Sequence, residues 1–289
     1  MATFYYNKRA KLHLCNRLLS CTEESYRKLK EKGKITPERI QVLSFLQKYR
    51  ALTMDMLKEL TGRSSEELAA DLTSLMEYGL LVKQFYECMI EQESIRTETF
   101  YCASSSLPKE IREEGVKNSF LWSKDLPLAD AMEILAFNQF HIALLKNVPK
   151  KAIQTQMSYR IKGVVVDGRY RLKGKKFHLG YSHLMVIAVR DFAPYNVQIE
   201  TTLLRVKEAY AYGPEKMPWV ILLCENKDQC ANLFRKFRLD AELRELQIYF
   251  VLDTDIAYYE NPLCALQTHR FANENKEVVS ETFRISEWF

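Results

Sequence analysis

The chain has 289 residues, a formal net charge of +5, 47% hydrophobic and 27% charged residues, which suits two soluble domains, each large enough to bury its own core. No apolar run approaches bilayer-spanning length and the first residues lack the apolar core of a secretory signal, so a cytoplasmic protein without membrane contact is expected. Seven cysteines, odd in number and never in a CxxC pair, point to reduced thiols and away from a zinc site.

Taken in order, the chain begins with a basic segment. Residues 1–34 carry nine Lys/Arg against three acids. Between residues 5 and 19, Lys8, Arg9, Lys11 and Arg17 alternate with Tyr5, Tyr6, Leu12 and Leu14. Such a stretch is read either as an arm that orders on a phosphate backbone or as a terminal helix or strand whose charges are merely solvated. Thr22 then caps a short charged helix closed by Gly33.

Residues 35–105 have the grammar of a winged helix-turn-helix. Thr36-Pro37 opens a helix that runs to about Tyr49, with Ile40, Leu43 and Leu46 as its stripe. Met54, Met56, Leu57 and Leu60 mark a second, broken by Thr61-Gly62-Arg63. Ser64 and Glu67 form a capping box for a third, which carries Leu68, Leu72, Leu75 and Met76 and ends at Gly79. Residues 80–87 and 96–103 read as the two strands of a hairpin. The third helix sits in the place of a recognition helix, yet it bears Glu66, Glu67, Asp71 and Glu77. Only Arg63, Ser64, Ser65 and Thr73 suit contact with a duplex, and the helix can equally dock a protein.

Ser104 to Pro108 breaks the pattern, and residues 106–150 read as a helical connector with a long helix from Pro127 to Lys146. His141 on that helix reads as a structural histidine. Residues 151–289 alternate strand and helix, the texture of an α/β domain with a mixed or parallel sheet. Strands are expected near 163–172, 184–189, 219–224 and 247–252, with Asp167-Gly168 as a turn inside the first of these. Seven basic residues fall between positions 160 and 176 against Asp167 alone, and Arg169, Arg171, Lys173, Lys175 and Lys176 follow it closely.

No glycine loop for phosphate and no GxSxG elbow are present, and the five histidines show no zinc spacing. A metal pair at His178 and His183 is the alternative to packing histidines. Asp167 is the one acid placed as in a PD-(D/E)xK nuclease, where converging carboxylates hold Mg²⁺ against a phosphate. The strand that should supply the second acid reads Met185-Val186-Ile187-Ala188-Val189-Arg190-Asp191. Asp191 and Glu200 are the displaced candidates, so the domain reads as a degenerate nuclease fold without cofactor, Mg²⁺ entering only if cleavage is retained.

The helix bearing Phe137-Asn138-Gln139-Phe140-His141, Val166-Asp167-Gly168, the strand to Asp191, and a helix with Lys207 and Tyr210 together resemble the replication-relaxation family, closest to its MobC-type mobilisation proteins. The resemblance implies an accessory protein of a plasmid or integrative element that binds double-stranded DNA and helps a relaxase assemble at an origin of transfer, or aids plasmid replication. The expected contacts are Lys8, Arg9, Lys11, Arg63, Ser64, Ser65, Arg169, Arg171, Lys173, Lys175 and Lys176, in a possible homodimer. A metal-dependent nuclease using Asp167 with Asp191 or Glu200, and a winged-helix transcriptional regulator, are the alternatives.

Overall fold

The computed structural model describes residues 11–17, 19–90, 93–96, 98–111, 128–174, 177, 180–190, 193–211, 216–259, 261–271 and 278–284. The architecture is mixed α/β, with helices and two sheets. The chain divides into two compact units, and the division falls inside one helix, between Asn138 and Gln139. Among the described residues, no helix is long and apolar enough to cross a membrane.

The first unit contains β1 (Lys11–Leu14), α1 (Glu23–Glu31), α2 (Pro37–Tyr49), β2 (Leu52–Thr53), α3 (Met54–Thr61), α4 (Ser65–Glu77), β3 (Leu81–Ile90), β4 (Glu93–Arg96) and β5 (Phe100–Ala103). Local chemistry sets the helix ends. Thr22, Thr36 and Thr53 each accept a hydrogen bond from the amide three residues on, which satisfies one orphan donor per helix. At Ser64 the bond is reciprocal: its hydroxyl accepts from Glu67 N, and the Glu67 carboxylate accepts from Ser64 N at 2.9 Å. Gly62 takes φ +70°, the left-handed conformation that stops α3 before α4 starts. Leu43, Leu46, Leu57, Leu68, Leu72 and Leu75 are buried where α2, α3 and α4 meet, and each contributes about 1.5–3 kcal/mol by leaving water. The buried stripe of α2 also takes in Val42 and Tyr49, while Ile40 is only half-buried.

The strands of this unit run in the order β1-β3-β5-β2, with β4 on the far half of β3. The single expected return strand is therefore two. Gln84 faces Phe100 and Glu87 faces Arg96, so the return path takes four steps where β3 takes three. That extra residue interrupts the ladder as a bulge does. In the basic stretch, Lys11–Leu14 is strand: β1 pairs antiparallel with β3, and Lys11 stands opposite Glu87. Residues 109–111 are helical; the rest of the short helix expected there, and Pro127, lie outside the described residues.

The helix α5 (Leu128–Asn147) ends in the second unit, which continues with β6 (Ile153–Ile161), β7 (Val164–Lys173), β8 (Tyr181–Ala188), α6 (Ala193–Ala211), β9 (Trp219–Cys224), α7 (Lys227–Leu239), β10 (Ile248–Leu252), α8 (Asp253–Tyr259), β11 (Leu266–Phe271) and β12 (Val278–Phe283). These seven strands form one sheet in the order β12-β11-β10-β9-β8-β7-β6. The three central strands β8, β9 and β10 are parallel, and the outer pairings are antiparallel. Met185, Ile187, Val220, Leu222, Phe250 and Leu252 pack with Ile199, Leu203 and Val206 of α6 and Leu233 and Phe237 of α7. Leu184, Val186, Ile221, Leu223 and Val251, which alternate with them, are buried too. Burial on both faces explains the unbroken apolar runs of β8 and β9.

One expectation fails here. Asp167-Gly168 is not a turn but lies inside β7, and the reversal falls at Lys162 (φ +47°) and Gly163 (φ +85°), a two-residue loop between Ile161 and Val164. Two positive φ angles in succession are what a tight hairpin of the twisted kind requires. The strands β6, β11 and β12 were not expected.

Candidate nucleic-acid interface

The strand period of two places Arg169, Arg171 and Lys173 on one face of β7. On β8 they stand opposite Met185, His183 and Tyr181, and on β6 Gln156 and Gln154 lie opposite the two arginines. Aromatic rings brace both guanidinium groups. Arg169 lies 4.9 Å from the Tyr159 ring centroid and Arg171 lies 4.1 Å from that of Tyr181, distances at which the ring face attracts a cation. Arg169 Nη2 and His183 Nδ1 are 3.0 Å apart. The guanidinium has only donors, so Nδ1 accepts and the ring proton belongs on Nε2. His183 in turn meets the Tyr210 ring edge-on at 6.4 Å.

Arg171 and Lys173 form no salt bridge among the described residues, Lys173 is exposed, and the exposed Gln154 and Gln156 lie beside the two arginines. A guanidinium held by an aromatic face keeps its N–H edge for an anion, which a carboxylate partner would have occupied. The arrangement thus presents positive charge at strand spacing, with polar amides beside it.

The other expected contacts fare differently. Arg63 Nη2 binds Asp71 Oδ2 at 2.7 Å, and Arg39 Nε binds Asp71 Oδ1 at 2.7 Å. Partial burial opposes ionisation of Asp71, but the hydrogen bonds from Arg39 and Arg63 prevail and hold its carboxyl below the usual range. The guanidinium of Arg63 is therefore engaged within the fold, sharing the Asp71 carboxylate with Arg39. Ser64 is the cap of α4 and Ser65 its half-buried first residue. Glu66, Glu67 and Glu77 are exposed on α4, and the Ser64 backbone amide lowers the Glu67 pKa. The α4 surface is acidic. Lys11 is exposed on β1; Lys8, Arg9, Lys175 and Lys176 lie outside the described residues.

Among the described residues, Asp167 and Glu200 each have a partner of their own. Asp167 Oδ2 accepts from Ala188 N at 2.8 Å, and the nearby Ile187 and Val189 are buried and apolar. In the expected second-acid segment, Arg190 is buried and its Nη2 pairs with Asp253 at 3.3 Å. Glu200 pairs with Lys236 at 2.6 Å, and Asp191 lies outside the described residues. Among those described, no group of three His, Cys, Asp or Glu residues is placed to hold a metal ion. His178 also lies outside them, and His183 belongs with Arg169.

The polar residues of Phe137-Asn138-Gln139-Phe140-His141 have structural partners. Asn138 Nδ2 donates to the carbonyls of Tyr49 and Ala51 at 2.7 and 2.8 Å, satisfying the C-terminal end of α2 in the first unit. In the second, Gln139 donates to Asp253 O at 3.3 Å and His141 Nδ1 meets Tyr170 Oη at 2.7 Å. Tyr159, Tyr181 and Tyr210 were missed as neighbours of the basic β7 residues. The alternation of Tyr181 and His183, matching that of Arg169 and Arg171, was the available signal. Compared with known proteins, the chain matches no family model and no curated sequence.

Proposed function

We propose that this chain is a non-catalytic DNA-binding accessory protein of a mobile element, acting beside a relaxase at an origin of transfer or in plasmid replication. The observation that carries the DNA reading is the β7 face, where Arg169, Arg171 and Lys173 align and the two arginines are held by Tyr159 and Tyr181. The order α2-β2-α3-α4-β3-β5, with β2 paired to β5, supports a winged helix-turn-helix in the first unit. The order α5-β6-β7-β8-α6-β9 supports a PD-(D/E)xK-like core in the second, turned from cleavage to backbone binding. The assignment to mobilisation rests on the family resemblance of the sequence. The acidic α4 suits a protein partner, since it would repel a phosphate backbone.

Titration of a labelled duplex from the non-coding DNA beside the gene, at several salt concentrations, tests this reading. Each phosphate contact adds about 0.9 to the salt slope, so the R169A/R171A/K173A variant has a slope shallower by up to about 3 and binds all sequences more weakly. An unchanged affinity overturns the reading. Mg²⁺-dependent cleavage that disappears in Asp167→Ala would replace it with the nuclease.

A further inference from the structure

The second unit holds another concavity, at the N-terminal end of β10. It encloses about 510 Å³ between the last turns of α7, the segment 243–247, β10 and β11, a volume suited to a small organic ligand. Its lining combines rings with cations. The His269 ring lies 5.7 Å from Phe234 and 4.7 Å, edge-on, from Phe250. His269 Nδ1 is buried with no hydrogen-bond partner, and burial lowers the pKa of this imidazole, which favours the neutral ring. Arg238 and Arg244 line the cleft and are exposed, and neither forms a salt bridge among the described residues. Arg238 Nη1 donates to the Arg244 carbonyl at 3.2 Å, which keeps the two positions together.

Among the described residues, no acid lines the cleft. Of the acids nearby, Asp240 accepts from the amides of Glu242 and Leu243 at 2.7 and 3.2 Å, and Glu245 pairs with Lys207 at 3.0 Å. A site with aromatic walls, two cations and an imidazole nitrogen lacking a partner selects a flat ring that can hydrogen-bond and that carries an anion. Rings stack on aromatic side chains and guanidinium groups bind phosphate in bidentate fashion.

We propose that this cleft binds a nucleotide, its base against Phe234 and His269 and its phosphate against Arg238 and Arg244. The nucleotide is either free or an unstacked unit of a single strand, which present the same chemistry. The site shares no residue with the β7 face and stands or falls independently of it.

The test is calorimetric titration of the full chain with adenosine 5′-monophosphate, adenosine and inorganic phosphate. The monophosphate is expected to bind more tightly than either fragment. In the R238A/R244A variant its affinity falls about tenfold or more, as loss of charge-assisted hydrogen bonds implies, and approaches that of adenosine. Both arginines are exposed, so the variant keeps its fold, and its duplex affinity stays unchanged. An oligodeoxyadenylate that competes with the monophosphate assigns the site to a single strand, and one that does not assigns it to the free nucleotide. Absence of saturable binding at millimolar monophosphate overturns the proposal, as does an affinity indifferent to the two arginines or matched by inorganic phosphate.

Discussion

Arginine has opposite fates in two parts of this molecule. At α4, Arg39 and Arg63 converge on Asp71, and after β8 Arg190 is buried against Asp253; in each case a carboxylate takes the guanidinium edge. On β7, rings hold Arg169 and Arg171 by their faces. A carboxylate takes up part of the guanidinium edge and offsets its charge, whereas an aromatic face orients the cation and leaves the Nη groups of Arg171 for a ligand. The identity of the partner, more than the presence of an arginine, decides which surface meets an anion.

The comparison breaks most readily at Arg190. Asp253→Ala leaves a charged guanidinium unpaired in the interior and is expected to lower stability by about 3–5 kcal/mol, read by urea unfolding of the full chain. A loss as small as that of a surface ion pair would mean that Arg190 reaches water. On β7, Arg171→Ala is expected to weaken duplex binding on the order of tenfold at moderate salt with little change in unfolding. Arg63→Ala is expected to do the reverse, and equal effects of the two on anisotropy titrations would erase the distinction.

Asp71→Asn sharpens the same contrast through pH. Partial exposure screens this pair, so a loss of about 1–2 kcal/mol at neutral pH is expected. The folded carboxyl is held below its ordinary value of 3.8, so its contribution is present above that pH and is lost as pH falls through the lowered value. The variant should therefore show a flatter acid limb in its stability profile, and an identical limb would remove Asp71 from the account. The smallest effect belongs to the capping box, where Ser64→Ala should cost about 1 kcal/mol and leave duplex affinity untouched.

The helices of the first unit were legible in the sequence because their ends are set within a few residues, as by Ser64 with Glu67 and by the left-handed Gly62. The central strands of the second were legible because burial on both faces demands unbroken apolar runs. The outer strands were not. β6, β11 and β12 mix polar and apolar residues at the sheet margin, and only pairing with a neighbour distinguishes them from loop. Asp167-Gly168 carried a local turn signal that the ladder with β8 overrode. The basic residues of the candidate site could be counted from sequence, but their availability could not be read there.

What the sequence determined by itself was therefore the capped helices, the buried central strands and the concentration of positive charge after Asp167, all properties of short range or of composition. Tertiary structure alone decided that Asp71 and Asp253 pair with some arginines while Tyr159 and Tyr181 brace others. Arg39 and Asp71 are 32 residues apart and Arg190 and Asp253 are 63 apart, and even the nearer pairs meet only once strand pairing and helix packing set their side chains side by side.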